Sequence, residues 1–152
     1  MGNVQQQQFV FGSILLLANK LQITGDKLFD DLTLKQWFLM IMIFNMENKS
    51  PAINEISEFT GTTRQNVKKM LLPLESKGYL TIHKSNSDAR ALNVQLTKKS
   101  FDYFSQNEKY GEELTKKLFK DINNDDLTAT TRVLEKLMDN CIHLKKGEEL
   151  YE

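Results

Sequence analysis

The chain has 152 residues, 20 of them Lys or Arg and 20 Asp or Glu, with one Cys, two Pro and 40% apolar residues. That size and balance fit one compact domain, or a small domain with extensions, and exclude a disordered chain or a disulfide-built scaffold. A net charge of zero argues against a polyanion partner only if the charges are evenly spread.

One Cys cannot form an internal disulfide, so the expected location is a reducing cytoplasm. The first residues lack the basic region of a signal peptide, and no small-residue cleavage site follows the apolar stretch at residues 9–18. Gln6 stands where a myristoylation signal after Gly2 needs Ser or Thr. The densest apolar run, residues 37–44, is far shorter than the ~20 residues of a membrane span, so no membrane partner is expected.

Residues 9–21 predict a first helix, with apolar residues dense enough for burial on more than one side; Gly25 and Asp26 break it. Thr33 is the expected N-cap of a second helix. Leu34, Trp37, Phe38, Ile41 and Met42 form its expected stripe, with Leu39, Met40, Ile43 and Phe44 filling the other sides. A helix apolar all round sits at the centre of its own fold or of a subunit interface. A short helix over residues 53–59 follows, carrying Ile53, Ile56 and Phe59 and closed by Gly61. Thr62 and Gln65 have the spacing of a capping box that opens a fourth helix. Its core stripe is Val67, Met70, Leu71 and Leu74; Pro73 should kink its second half and Gly78 should end it. After Gly78 the period falls to two. Residues 79–84 and 92–97 read as short strands joined by a polar tip, residues 85–90. Two long helices, over about 97–122 and 125–144, complete the chain.

Charge is concentrated in the middle of this order. Residues 60–99 hold eight basic side chains (Arg64, Lys68, Lys69, Lys77, Lys84, Arg90, Lys98, Lys99) against Glu75 and Asp88, a net +6 that the rest of the chain balances with −6. A polyanion-binding surface and a solvated Lys-rich face both fit that sum. The order of elements favours the first. Helix, tight turn, second helix and a hairpin with a basic tip make a winged helix-turn-helix, whose second helix keeps one face in the core and offers the other to the major groove. At 100° per residue Thr62, Gln65 and Lys69 point away from the apolar stripe, with Asn66 and Lys68 on the flanks. Arg64 lies nearer the core side but in the first turn, where its length lets it reach out. Asn and Gln can pair with adenine and Arg or Lys with guanine, while Arg90 at the hairpin tip suits a narrow, electronegative minor groove. The candidate DNA contacts are therefore Thr62, Thr63, Arg64, Gln65, Asn66, Lys68 and Lys69 on the helix, with Lys84, Ser85, Asn86 and Arg90 on the hairpin.

Four stretches carry a family resemblance: Leu34-Lys35-Gln36-Trp37-Phe38-Leu39, Thr63-Arg64-Gln65-Asn66-Val67-Lys68-Lys69, Leu74-Glu75-Ser76-Lys77-Gly78-Tyr79-Leu80, and Asp88-Ala89-Arg90 followed by Asn93-Val94-Gln95-Leu96-Thr97. In order and spacing the chain resembles the MarR family of regulators over residues 34–97, with the flanking helices matching by layout. The resemblance implies a mainly α fold with a small β-hairpin wing. Residues 1–32 and 101–152 would supply dimerisation helices and 33–100 the winged DNA-binding region. It implies a homodimer on a pseudo-palindromic operator in double-stranded DNA, with repression the expected mode and a small aromatic effector the expected releasing ligand. It also implies that Asp88 positions Arg90. Two departures make the wing less basic than the family pattern: Ile82 and Ala89 stand where Arg is common.

Other readings are bland. Cys141 lies on the apolar stripe of the last helix and is expected to be a buried small hydrophobe rather than a redox sensor. Cys141 and His143, two apart on a helix, point to different sides and do not build a metal site. His83 is expected on the surface or at a phosphate. Phe9, Phe11, Trp37, Phe38, Met40 and Met42 are expected mainly as core, with an effector pocket as the sharper reading. No nucleophile–base pair, phosphate-cradling loop or paired carboxylates appear, so neither catalysis nor a cofactor is expected. The competing class is a winged-helix protein-interaction module that has lost its DNA contacts, which Pro73, Ile82 and Ala89 would favour.

Overall fold

The computed structural model describes residues 2–85 and 91–145. The chain divides into two compact units, one through Gln106 and one from Asn107 onward. The first holds α1 (Asn3–Gly25), α2 (Leu34–Asn45), α3 (Ile53–Thr60), α4 (Arg64–Ser76), β1 (Leu80–Lys84), β2 (Leu92–Leu96) and the first turns of α5 (Lys98–Leu118). The second holds the remainder of α5 and α6 (Asn124–Lys145).

α1 begins six residues before the sequence expectation. Gln5 to Gln8 lack apolar periodicity but are good helix formers, and Gln5 Oε1 accepts the Gly2 amide (3.1 Å) at the first turn. The helix ends at Gly25, which lies so close to α2 that a Cβ there would meet the Leu34 side chain at 2.8 Å. Asp26 then reaches across and accepts the Leu34 amide at 2.8 Å, while Gln22 donates to the same carboxylate. Those hydrogen bonds hold the Asp26 carboxyl below its ordinary pKa, the one from Gln22 most strongly. The α1–α2 corner is thereby fixed at both a steric and a polar contact.

Thr33 caps α2 as expected: its Oγ1 accepts the Gln36 amide (3.2 Å) and Gln36 Oε1 accepts the Thr33 amide (3.1 Å). The buried face differs from the expected stripe. Leu39, Met40 and Ile43 enter the core, Phe38 is exposed, and Leu34, Trp37, Ile41 and Met42 are half-buried. Periodicity cannot choose a face on a helix that is apolar all round; packing on α3 and α4 makes the choice.

α3 buries Ile53 and Ile56 and leaves Phe59 exposed. Gly61 closes it at φ 67°, with the Gly61 amide donating to Glu58 O and the Thr62 amide to Ser57 O, each at 3.2 Å. Thr62 is thus still engaged in ending α3. The cap of α4 consequently falls one residue later than expected, on Thr63, whose Oγ1 accepts the Asn66 amide at 3.2 Å. Val67, Leu71 and Leu74 are fully buried along α4, as the stripe predicts. α4 runs through Pro73 to Ser76 without interruption, although Pro73 deprives the preceding turn of one donor. Gly78 (φ 77°) ends it, with Gly78 N donating to Glu75 O (2.8 Å) and Tyr79 N to Leu74 O (2.9 Å).

β1 and β2 pair antiparallel, from Leu80 opposite Leu96 to Lys84 opposite Leu92. Ala52 bridges Asn93, and Val94 donates to Pro51 O (2.9 Å), so the α2–α3 connection extends the hairpin sideways. The core of the first unit is formed by Leu39, Met40, Ile43, Ile56, Val67, Leu71, Leu74, Leu80 and Val94 with their neighbours. In contrast, α1 and α6 leave large apolar side chains in solvent, including Phe9 (64%), Phe11 (69%) and Met138 (61%). Cys141 is exposed, contrary to the buried role expected of it, because the α6 face that carries it is uncovered in the single chain.

Candidate nucleic-acid interface

The N-terminal half of α4 is held up by the buried stripe behind it and by the Thr63 cap in front. Arg64, Gln65, Asn66, Lys68 and Lys69 are all exposed and share this half of the helix. Thr62 is half-buried and accepts a hydrogen bond from Asn66 Nδ2 (3.3 Å), so these two candidate contacts hold each other in place. Thr63 spends its hydroxyl oxygen on the cap, which leaves the Arg64 and Gln65 amides of the first turn without an acceptor among the described residues. Such amides and the helix dipole favour an anion at this point.

On the hairpin, Lys84 is exposed at the end of β1. Ser85 is half-buried at the root of the tip, its amide donating to Ala91 O at 2.9 Å. Asn86, Asp88, Ala89 and Arg90 lie outside the described residues. Ile82, where the family pattern favours a cation, is half-buried against the core, and its amide donates to Glu75 Oε1 at 2.8 Å. This bond ties the outer edge of β1 to α4 and fixes the wing relative to the helix.

The basic segment does not act as one patch. Lys77 pairs with Asp31 (3.5 Å) and Lys99 with Asp31 (3.9 Å); Lys98 pairs with Asp102 along α5 (2.7 Å). No acidic side chain among the described residues lies within ion-pair distance of Arg64, Lys68, Lys69 or Lys84. Among the described residues of the basic segment, the cations without an acidic partner are therefore those of the exposed α4 face and of the wing root.

Around Asp31 a second cluster takes up positions that sequence reasoning passed over. The Tyr79 hydroxyl donates to Asp31 Oδ2 at 2.8 Å, and Lys99 sits 4.2 Å above the Tyr79 ring. The Tyr79 hydrogen bond, then the Lys77 and Lys99 charges, hold the Asp31 carboxyl below its ordinary value. Burial, followed by the hydrogen bond and charge of Asp31, pushes the Tyr79 phenol well above its own. Burial raises Tyr103 as well. Lys77, Gly78 and Tyr79 are contiguous in the sequence, and that contiguity is the available signal. Asp31, in a loop beside another Asp, carried none.

The remaining candidates separate. His83 is exposed, its Nε2 3.3 Å from Ser50 Oγ. Of the aromatic and methionine set, Met40 is in the core, Trp37 stacks on Phe29 (5.5 Å), and Phe9 and Phe11 are on the exposed surface of α1. The set thus divides between core and surface. Among the described residues no three His, Cys, Asp or Glu side chains are grouped to hold a metal, and no helix is long and apolar enough to cross a membrane.

No protein-family model matches the sequence, and no match is found among curated proteins. Solved structures do match. A MarR/EmrR family transcriptional regulator from Acinetobacter sp. ADP1 superposes with a TM-score of 0.77 at 18% identity, covering 90% of this chain and 97% of its own. The fold is that of the MarR-family regulators. MepR of S. aureus, solved as a DNA complex, shares the MarR fold with a TM-score of 0.75 at 16% identity, over 84% of this chain and 94% of its own. BpsR of Bordetella bronchiseptica, whose DNA binding is regulated by 6-hydroxynicotinic acid, does so with a TM-score of 0.71 at 18% identity, over 84% and 98%. At these identities the likeness concerns the MarR fold: six helices and an antiparallel hairpin in the same order among the described residues.

Proposed function

We propose that the chain is a DNA-binding transcriptional regulator rather than an enzyme. The observation that carries this reading is the set of exposed cations Arg64, Lys68, Lys69 and Lys84, without an acidic partner among the described residues, on the α4 face and wing root that a winged helix turns to DNA. Lys77, Lys98 and Lys99 nearby are instead engaged with Asp31 and Asp102, so the cations free to meet phosphates are concentrated on that face. In this reading Arg64, Gln65 and Lys69 meet base edges and phosphates in the major groove, and the helix-end amides seat a phosphate. Arg90, positioned by Asp88, enters the minor groove; Thr62, Thr63, Asn66, Lys68, Lys84, Ser85 and Asn86 complete the contact surface.

The active form is a homodimer on a pseudo-palindromic operator, with α1 and the helices of residues 101–152 as the dimerisation elements. The apolar side chains that α1 and α6 expose in the single chain support this assignment, because monomers rarely leave such faces open. Repression in the cytoplasm and release by a small aromatic effector complete the proposal; the regulation of BpsR by 6-hydroxynicotinic acid is the parallel for the last. Fluorescence anisotropy on a labelled duplex across a salt series tests DNA binding. The logarithm of affinity should fall linearly with that of salt, and absent or salt-independent binding would overturn the proposal. Sedimentation equilibrium at the same concentrations should give a dimer.

A further inference from the structure

Asp31 belongs to the loop between α1 and α2, yet its carboxylate gathers groups from two other parts of the chain. Tyr79, which leads from α4 into the wing, donates its hydroxyl to Oδ2 at 2.8 Å; Lys77, just past α4, lies 3.5 Å from Oδ1; Lys99, in the first turn of α5, lies 3.9 Å from Oδ2. Lys77 Nζ also donates to the backbone carbonyl of Asp31.

The beginning of α5 is attached at the other end of the same tyrosine. The Tyr79 carbonyl accepts from the Thr97 amide (3.0 Å), from Thr97 Oγ1 (3.0 Å) and from Ser100 Oγ. Its ring packs edge-on against Tyr103 at 5.6 Å and under the Lys99 ammonium, which also donates to Lys77 O at 2.8 Å. The two ends of the loop that holds Asp31 are closed on each other, Gly25 at the end of α1 against Leu34 at the start of α2 and Asp26 on the Leu34 amide. Asp31 is thus where the α1–α2 loop, the end of α4 and the start of α5 are tied by side chains.

We propose that Asp31 is a positioning residue for DNA recognition: through Tyr79 and Lys77 it fixes the angle at which α4 and the wing are presented relative to the α1–α2 corner and the first turn of α5. In a dimer that angle sets the separation of the two reading helices, and hence the half-site spacing the protein accepts, since spacing follows from geometry. The inference rests on the proposed reading of the chain as a dimeric DNA-binding regulator. The physical cause is that the Tyr79 ring is buried and aims its hydroxyl at Asp31, and that Lys77 and Lys99 converge on the same carboxylate. A charge-assisted bond of this kind adds a directional tie to the core packing that already joins α2, α4 and the wing.

The test is selection of bound duplexes from a random-sequence library, with the half-site spacing read by sequencing. It is run on the full chain as wild type, Asp31→Ala and Tyr79→Phe, the last keeping the ring and removing only the hydroxyl. Lys98→Gln is the control, since its pair with Asp102 stays within one helix. Wild type and Lys98→Gln should enrich palindromes of one spacing. Asp31→Ala and Tyr79→Phe should enrich neighbouring spacings too, with the preference between adjacent spacings reduced about tenfold. A change that merely lowered the folded fraction would weaken all spacings alike and leave that preference intact. If variants with a folded circular-dichroism spectrum keep the wild-type spacing, the positioning role is overturned. If wild type itself enriches no sequence, the DNA-binding reading fails and this inference falls with it, a result distinct from the first.

Discussion

At the N-terminal end of α4, Arg64, Gln65, Lys68 and Lys69 face solvent and the cations have no acidic partner among the described residues. At its C-terminal end, Glu75 holds the Ile82 amide, Lys77 and Tyr79 hold Asp31, and Gly78 makes the left-handed turn into the wing. One end is left open and the other is tied down. The contrast shows why a charge sum along the sequence overstates a binding surface. Lys77, Lys98 and Lys99 contribute to the +6 of residues 60–99, yet each is answered by an aspartate that the sum places outside that segment.

Variants at the two ends should therefore fail in different ways. The largest effect is expected at the open end: the double substitution Arg64→Ala and Lys69→Ala should lower DNA affinity about 100-fold at fixed salt, with the thermal unfolding midpoint unchanged. Loss of stability instead would erase the asymmetry. At the tied end, Gly78→Ala should cost about 1–2 kcal/mol in urea unfolding, because a side chain is strained at that left-handed position. Thr63→Ala, which removes the cap of the open end, should cost about 1 kcal/mol and disorder the first turn that carries Arg64.

The smallest effect is a pH signature of the Asp31–Tyr79 pair. Tyr79 titrates above its ordinary 10.0, so the folded state retains a proton that the unfolded chain releases. That stabilisation is complete below pH 10 and is lost as pH rises through the raised value; Tyr79→Phe should remove this part of the alkaline decline. Asp31, lowered from 3.8, stabilises above that pH and loses its contribution as pH falls through the depressed value. The acid effect should be slight, since the carboxylate is half-exposed and screened. Chemical denaturation across the two pH ranges checks both.

Much of the winged region could be read from the chain. Gly61, Gly78, the Val67–Leu71–Leu74 stripe and the two alternating strands are local signals, and local energetics decide them. Features that depend on distant partners could not be read. Periodicity cannot choose the buried face of α2 because every side of it is apolar, and α4 starts one residue later than the Thr62 spacing predicts because Thr62 is engaged in closing α3. Cys141 looked buried because a stripe at helical spacing normally has something to cover it. Within the site, the exposure of Gln65, Lys68 and Lys69 follows from the helical angle and that of Arg64 from its place in the first turn, whereas the contacts of Asp31 depend on residues 46 to 68 positions away in the chain.

The salt dependence of DNA binding tests the central claim most directly, measured for wild type, Lys69→Gln and Lys98→Gln on the same duplex. If the unpaired cations of α4 hold the phosphates, Lys69→Gln should reduce the slope of log affinity against log salt by about 1, while Lys98→Gln leaves it at the wild-type value. Equal slopes for all three proteins, or an equal reduction at both positions, would contradict the account.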